Sequence, residues 1–382
     1  MLPKKLNKKL NARKANNAFR QLGSSSTLID FSSNDYLGFS NSEVIFDKVH
    51  HYVIDNNLKK NGATGSRLLS GNHSLYAKVE TQLSNSHKCE AALVFNSGYD
   101  ANIGLLSSVP QRGDIIFYDE YVHASIRDGI NMSNSKHYKF KHNNLSDLEQ
   151  KCQAARSRNP KDSEIYIITE SVFSMDGDSP NILKLTQLCT AYNANLIIDE
   201  AHALGVFKTG LVQKHHLEDD VFARIITFGK GLGCHGAAIL GSQNLKDYLV
   251  NFSRTFIYTT GLPPHSLATI KMAYEELVIQ SSSEKSQIKE LQENIDFFKS
   301  EIIRLKLNHR FIDCESAIQC CIISGNDNVK SVSERLQNKG FDVKPILSPT
   351  VPKNQERLRF CLHSYNSKVE ITEVLQLLAI FV

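Results

Sequence analysis

Long apolar runs, paired cysteines and net charge are all scarce in this chain of 382 residues. No uninterrupted apolar stretch approaches the roughly 20 residues of a membrane-spanning helix, so the sequence reads as a soluble protein. The eight cysteines (Cys89, Cys152, Cys189, Cys234, Cys314, Cys320, Cys321 and Cys361) include no Cys-x-x-Cys pair, and several sit inside apolar runs. That usage argues against zinc or disulfides and for buried free thiols in a reducing compartment. With no secretory signal in view, the expected location is the cytoplasm. The formal net charge is only +4, too small for nucleic acid to be the main ligand. Acidic residues are missing from the first twenty positions, which carry Lys4, Lys5, Lys8, Lys9, Arg13, Lys14 and Arg20. An organellar presequence has that composition. Leu2, Leu6 and Leu10, however, recur at i+4 and predict an amphipathic helix lying on the body of the protein.

Apolar residues make up 41% of the chain and charged residues 22%, the balance of a globular protein with a full core. The length predicts two or three structural units. From about position 75 to 240, near-continuous apolar runs of strand length (92–95, 114–118, 165–169, 196–199, 225–228 and 237–240) alternate with helix-like stretches such as 145–157 and 183–192. Strands covered on both faces have this texture, so the fold class is α/β, a mostly parallel sheet with helices on both faces. Past about Gly261 the texture changes. Helix-prone stretches at 268–280 and 284–306 lead to strands at 317–323 and 357–362 and a last helix over 368–380. The expected division is an N-terminal arm over 1–36, an α/β domain over 37–265 and a C-terminal α+β domain over 266–382. There is no internal repeat.

Ligands of an open parallel sheet collect at the carboxyl ends of its strands. Four polar clusters follow such ends here: Ser97-Gly98-Tyr99, the stretch FSMDG at 173–177, Asp199-Glu200-Ala201-His202, and Thr227-Phe228-Gly229-Lys230-Gly231. An aspartate at the position of Asp199, partly buried, calls for a facing cation, which a protonated pyridine nitrogen supplies. Taken alone, Asp199 also fits a helix cap. Lys230 can reach into a cleft and form a Schiff base if burial and a nearby cation lower its pKa. By itself it also fits a surface lysine. A phosphate loop of the Walker type is excluded, because the spaced glycine before the lysine is missing. Ser97, Gly98 and Tyr99 would open a helix whose amino terminus suits a phosphate, with Thr227 adding a hydroxyl. His123 and His202, read singly, are equally consistent with structural hydrogen bonding.

Together these residues resemble the α-oxoamine synthase family of fold-type-I pyridoxal-phosphate enzymes. The resemblance runs from about position 30 to the carboxyl terminus. It rests on NDYLG at 34–38, GSRLLSG at 65–71, NSGYDAN at 96–102 and ESVFSMDGD at 170–178. DEAHALG at 199–205, TFGKGLG at 227–233, YTTGLPP at 258–264 and PTVPKNQERLRFCL at 349–362 complete it. It implies pyridoxal 5'-phosphate linked covalently to Lys230, with Asp199 on the pyridine nitrogen, His123 stacked on the ring and His202 on its phenolic oxygen. Ser174 is placed beside the ring. The phosphate would be held by Ser97, Gly98, Tyr99 and Thr227, and by Thr259 or Thr260 from a neighbouring subunit, which makes the active unit a homodimer. Arg359 would clamp the amino-acid carboxylate, with Asn34 nearby and Arg20 assigned to the acyl substrate.

The activity the resemblance implies is decarboxylative condensation of an amino acid with an acyl thioester. L-alanine and a pimeloyl thioester of biotin biosynthesis are the expected pair. Sister activities of the glycine C-acetyltransferase, 5-aminolevulinate synthase or serine palmitoyltransferase type share the same motifs. One position departs from the pattern. Members that bind a pimeloyl carboxylate carry an arginine two residues before the proline of the PTVP stretch, and here that residue is Leu347. Leucine cannot pair with a carboxylate, so either Arg20 suffices or the acyl group differs. The donor is then either a coenzyme A thioester or a chain carried on an acyl carrier protein, whose acidic surface could meet the basic arm.

Overall fold

The computed structural model describes residues 2–20, 22, 27–158 and 163–382. They form two compact units. One comprises Asn34–Ser174 and Asp178–Leu291, the other Met1–Ser33, Met175–Gly177 and Gln292–Val382.

The first unit is built on seven strands: β1 (Ala91–Phe95), β2 (Ile115–Asp119), β3 (Lys136–Phe140), β4 (Ile165–Glu170), β5 (Ala194–Asp199), β6 (Ala223–Thr227) and β7 (Ala237–Gly241). Their order is β1-β7-β6-β5-β4-β2-β3, and only β7 runs against its neighbours. Successive side chains of a strand point to opposite faces. Here Ile116, Ile168, Ile197 and Ile225 enter one apolar cluster, while Ile115, Phe117, Ile167, Leu196 and Ile198 enter a second. Burial on both faces explains why these strands read as unbroken apolar runs. Each such side chain contributes about 1.5–3 kcal/mol relative to exposure.

In this sheet the expected strands are all present and one more is added. The extra strand, β3, has the sequence KHYKF, with its first four residues exposed. It lies at the sheet edge, where charge blocks pairing with another chain and hides the strand from a search for apolar runs.

In the second unit, strands β8 (Ile318–Ile322), β9 (Lys344–Ile346) and β10 (Arg357–Cys361) form an antiparallel sheet in the order β9-β10-β8. Helix Lys368–Phe381 starts with a reciprocal cap between Ser367 and Glu370. Arg357, 1% exposed, makes an ion pair with Asp176 and donates to the Met175 carbonyl at 3.1 Å. Gly177 has φ +80°, and a Cβ there would stand 2.1 Å from the Ile318 carbonyl oxygen, so only glycine fits.

The N-terminal helix forms over Lys4–Ala15 but does not dock as its leucine repeat predicted. It buries no residue, and Leu2, Leu6 and Leu10 remain 42–47% exposed. Two leucines on a helix otherwise made of lysine, arginine, asparagine and alanine, with Leu2 just before it, form too thin a stripe to displace the water from the lysine stems around them. Cys89 and Cys234 are half-buried and the other six cysteines are buried. No described helix is long and apolar enough to cross a membrane.

Candidate active site

Strands β1 to β6 run the same way and present their carboxyl ends along one edge of the first unit's sheet. Asp199 closes β5 and is 5% exposed. Its Oδ1 accepts from the Ala201 amide at 2.9 Å and its Oδ2 from Asn102 Nδ2 at 2.8 Å. Among the described residues it forms no ion pair. A buried carboxylate without a countercharge costs several kcal/mol, so the site is built to receive a cation.

Asn102 sits on helix Gly98–Ser108 and also donates to Ser125 Oγ at 3.1 Å. Ser125 Oγ lies 2.8 Å from His123 Nδ1, and the Ser125 amide donates to the same nitrogen at 3.2 Å. Nδ1 is therefore the acceptor and the ring proton resides on Nε2. Burial, helped by the charges of Lys230 and Arg127, lowers the His123 pKa against the pull of Asp199, which keeps the ring neutral. The His123 amide donates to Glu170 Oε1 at 2.6 Å. Glu170 ends β4 directly beside Asp199 in register, and its pKa is raised by burial and by that neighbouring carboxylate.

Lys230 follows β6, and its Nζ lies 2.7 Å from His202 Nε2. The other ring nitrogen of His202 is 2.7 Å from Tyr36 Oη, which is 3.2 Å from Asn34 Oδ1. With the Lys230 amine donating to Nε2, the imidazole proton sits on Nδ1, toward Tyr36 Oη. The glycine after the lysine has a steric cause. A Cβ on Gly231 would approach the Leu204 carbonyl oxygen to 2.4 Å, so the loops carrying Lys230 and His202 can touch only if residue 231 is glycine.

Ser97 caps helix Gly98–Ser108 through a bond from the Asp100 amide, while the Gly98 and Tyr99 amides lie in the first turn, where a helix supplies no acceptor. A Cβ on Gly98 would meet Thr227 at 3.6 Å, so that hydroxyl-bearing side chain lies beside the helix amino terminus. Thr227 Oγ1 donates to the Gly236 carbonyl at 3.2 Å. The Tyr99 ring is exposed, with its hydroxyl donating to Asp128 at 2.6 Å. Asn96 donates to Thr259 Oγ1 at 3.0 Å and to the Thr260 carbonyl at 2.7 Å.

The strand ends thus gather Ser97, Gly98, Tyr99, His123, Asp199, His202, Thr227 and Lys230, with Asn34 joined through Tyr36 and both threonines through Asn96. Ser174 is half-buried on the loop after β4. Arg20 and Arg359 belong to the other unit. There Arg20 is exposed, and Arg359 is buried on β10 in register with Cys320 and Lys344. Sequence reasoning passed over Asn102, Ser125, Glu170 and Tyr36. Tyr36, Asn102 and Glu170 lie within quoted motifs, Ser125 is two residues after His123, and Asn102 stands one turn after Gly98, on the same helix face.

The donor set fits pyridoxal 5'-phosphate: an amine to bond its aldehyde, a buried carboxylate lacking a cation, two imidazoles, and a helix amino terminus beside a threonine hydroxyl for its phosphate. Residues 26–378 match the model of aminotransferase class I and II. The chain is 38% identical over 371 residues to the 8-amino-7-oxononanoate synthase of Emericella nidulans, covering 93% of this chain and 89% of that one. It superimposes on the 8-amino-7-oxononanoate synthase of Francisella tularensis with a TM-score of 0.77 and 26% identity, covering 93% and 97% of the two chains. It also shares the fold of the Sphingomonas wittichii serine palmitoyltransferase, with a TM-score of 0.89, 22% identity and coverage of 100% and 98%.

Proposed function

The chain belongs to the aminotransferase class I and II family, and from that premise we propose that it condenses L-alanine with a pimeloyl thioester, releasing carbon dioxide and free thiol to yield 8-amino-7-oxononanoate for biotin synthesis. It is a pyridoxal-phosphate-dependent acyltransferase. The reading rests on one observation above others. The Lys230–His202 pair and the buried Asp199 stand on neighbouring strand ends, in a chain 38% identical to a synthase of that reaction.

Bound pyridoxal phosphate supplies an aldehyde carbon and a protonated ring that draws electron density from the substrate Cα. Lys230 Nζ would hold the group covalently, and its amine would carry the proton to and from the substrate Cα. Asp199, oriented by Asn102 and the Ala201 amide, would hold the ring nitrogen's proton. His202 would bind the phenolic oxygen, and His123 and Ser174 would line the ring. Gly98 and Tyr99 amides, Ser97 and Thr227 hold the phosphate, and Thr259 or Thr260 serves that of a second subunit in a homodimer. Arg359 would grip both oxygens of the alanine carboxylate, and Asn34 is assigned to the same substrate. That carboxylate leaves as carbon dioxide after Cα has bonded to the acyl carbon.

Leu347 bears on the identity of the acyl donor. Leucine cannot pair with a far carboxylate, and the charge of helix Lys4–Ala15, with its lysines exposed, suits an acidic carrier protein as the bearer of the acyl chain, with Arg20 serving the acyl group. Purified protein mixed with pyridoxal phosphate, alanine and pimeloyl thioester should give the 8-amino-7-oxononanoate mass, and none when Lys230 is replaced by alanine. An amino-ketone formed only from glycine or serine would refute the substrate assignment. Equal rates from carrier protein and coenzyme A thioesters at all salt concentrations would refute the carrier.

A further inference from the structure

The carboxyl ends of β2, β3 and β4 meet at one imidazole that the proposed reaction does not use. His142 follows β3. Its Nδ1 lies 2.9 Å from Asp119 Oδ1 and its Nε2 2.9 Å from Asp178 Oδ2. Asp119 ends β2 and is fully buried, and its carboxylate also accepts from the Tyr121 and Asn143 amides at 2.8 Å each. Asp178 closes the loop after β4, where its carbonyl accepts from the Phe173 amide at 3.0 Å. Its Oδ2 also accepts from Asn143 Nδ2 at 2.7 Å. The imidazole is sandwiched as well as bonded. Tyr121 stacks on it with ring centroids 4.5 Å apart, and Phe173 meets it edge-on at the same separation.

A neutral imidazole has one N–H and one lone pair, so it can satisfy only one of two flanking carboxylates and would repel the other. Two carboxylates on opposite sides therefore call for imidazolium. Burial works against that charge, but the hydrogen bonds to Asp119 and Asp178 outweigh it and carry the His142 pKa up to about 10. Tyr121 is two residues before His123, and Phe173 is the residue before Ser174. Both flanking loops thus carry groups assigned to the cofactor.

We propose that His142 is a positioning residue for the cofactor site: clamped between Asp119 and Asp178, it fixes the loop bearing His123 to the loop bearing Ser174. The inference rests on the reading of the site given above. It predicts that loosening the clamp leaves substrate affinity nearly intact but lets the bound cofactor sit less asymmetrically.

His142→Gln keeps a polar side chain without the charge, and Asp178→Asn removes one carboxylate at a partly exposed position, where the fold tolerates it. Each variant and the wild type should be titrated with pyridoxal phosphate, followed by visible absorbance and circular dichroism. kcat and KM for alanine, and thermal unfolding, should be measured in parallel. The expected result is a visible dichroic band per bound cofactor reduced at least twofold and kcat reduced at least tenfold, with KM within threefold. Asp178→Asn should move the same way even if His142→Gln does not fold. A wild-type dichroic band and kcat in a folded variant would overturn the proposal, and so would activity lost only in proportion to unfolded protein. If the wild type itself showed no cofactor absorbance, the functional reading would fall, and the clamp with it.

Discussion

Replacing Asn102 by alanine would remove the only side chain among the described residues that hydrogen-bonds the Asp199 carboxylate. Asn102 is 2% exposed, so no water stands ready to substitute, and the 2.8 Å bond to a charged, buried oxygen is of the stronger kind. Such a bond contributes about 1.5–3 kcal/mol. At 1.36 kcal/mol per decade, its loss corresponds to a fall in kcat/KM of about 10- to 150-fold if Asp199 acts through the cofactor ring. Because Asn102 also donates to Ser125, which orients His123, the lower bound is the conservative figure. Asn102→Asp should be worse than alanine, since it sets a second carboxylate against a buried one. Steady-state kinetics with alanine as the varied substrate would measure the effect, with cofactor dissociation constants and unfolding temperatures for each variant. An Asn102→Ala enzyme within threefold of wild type, with unchanged cofactor affinity, would refute the view that Asp199 is held in place from helix Gly98–Ser108.

Other consequences follow from single contacts. The folded-state pKa of His142 lies near 10, above its ordinary value of 6.5. Its contribution to stability should be complete below about pH 6.5 and disappear as the pH rises through 10. Urea midpoints of wild type and His142→Gln should accordingly converge between pH 7 and pH 10, and a constant gap would contradict the imidazolium assignment. Gly231→Ala forces a Cβ toward the Leu204 carbonyl oxygen and should destabilise by about 1–3 kcal/mol, read as a lower denaturation midpoint. Asp176→Ala leaves Arg357 buried without its carboxylate and should cost about 3–5 kcal/mol, measured by chemical denaturation, whereas a variant as stable as wild type would show the pair to be dispensable.

The sheet was legible in the chain because parallel strands buried on both faces leave an unbroken apolar signal, as at Ile165–Glu170 and Ala194–Asp199. Strand ends then told where to look. Lys230, Asp199, His202 and Ser97 were all selected by that rule and by the glycines around them. What escaped was whatever depends on a partner far along the chain. Edge strand Lys136–Phe140 has a charged pattern that becomes a strand only against Ile115–Asp119. The leucines of helix Lys4–Ala15 promised docking, yet periodicity alone does not supply the surface that would cover them.

The supporting network around the site shows the same division. Local sequence determined which groups carry chemistry, since an amine, a carboxylate and two imidazoles are covalent facts. Only tertiary structure decided their states. Asp199 is held by a residue 97 positions away, His202 by Tyr36 at 166, and the proton on His142 by Asp178 at 36. Burial and the field of a few nearby charges set a proton's position, and both come into being when strands distant in sequence are laid side by side.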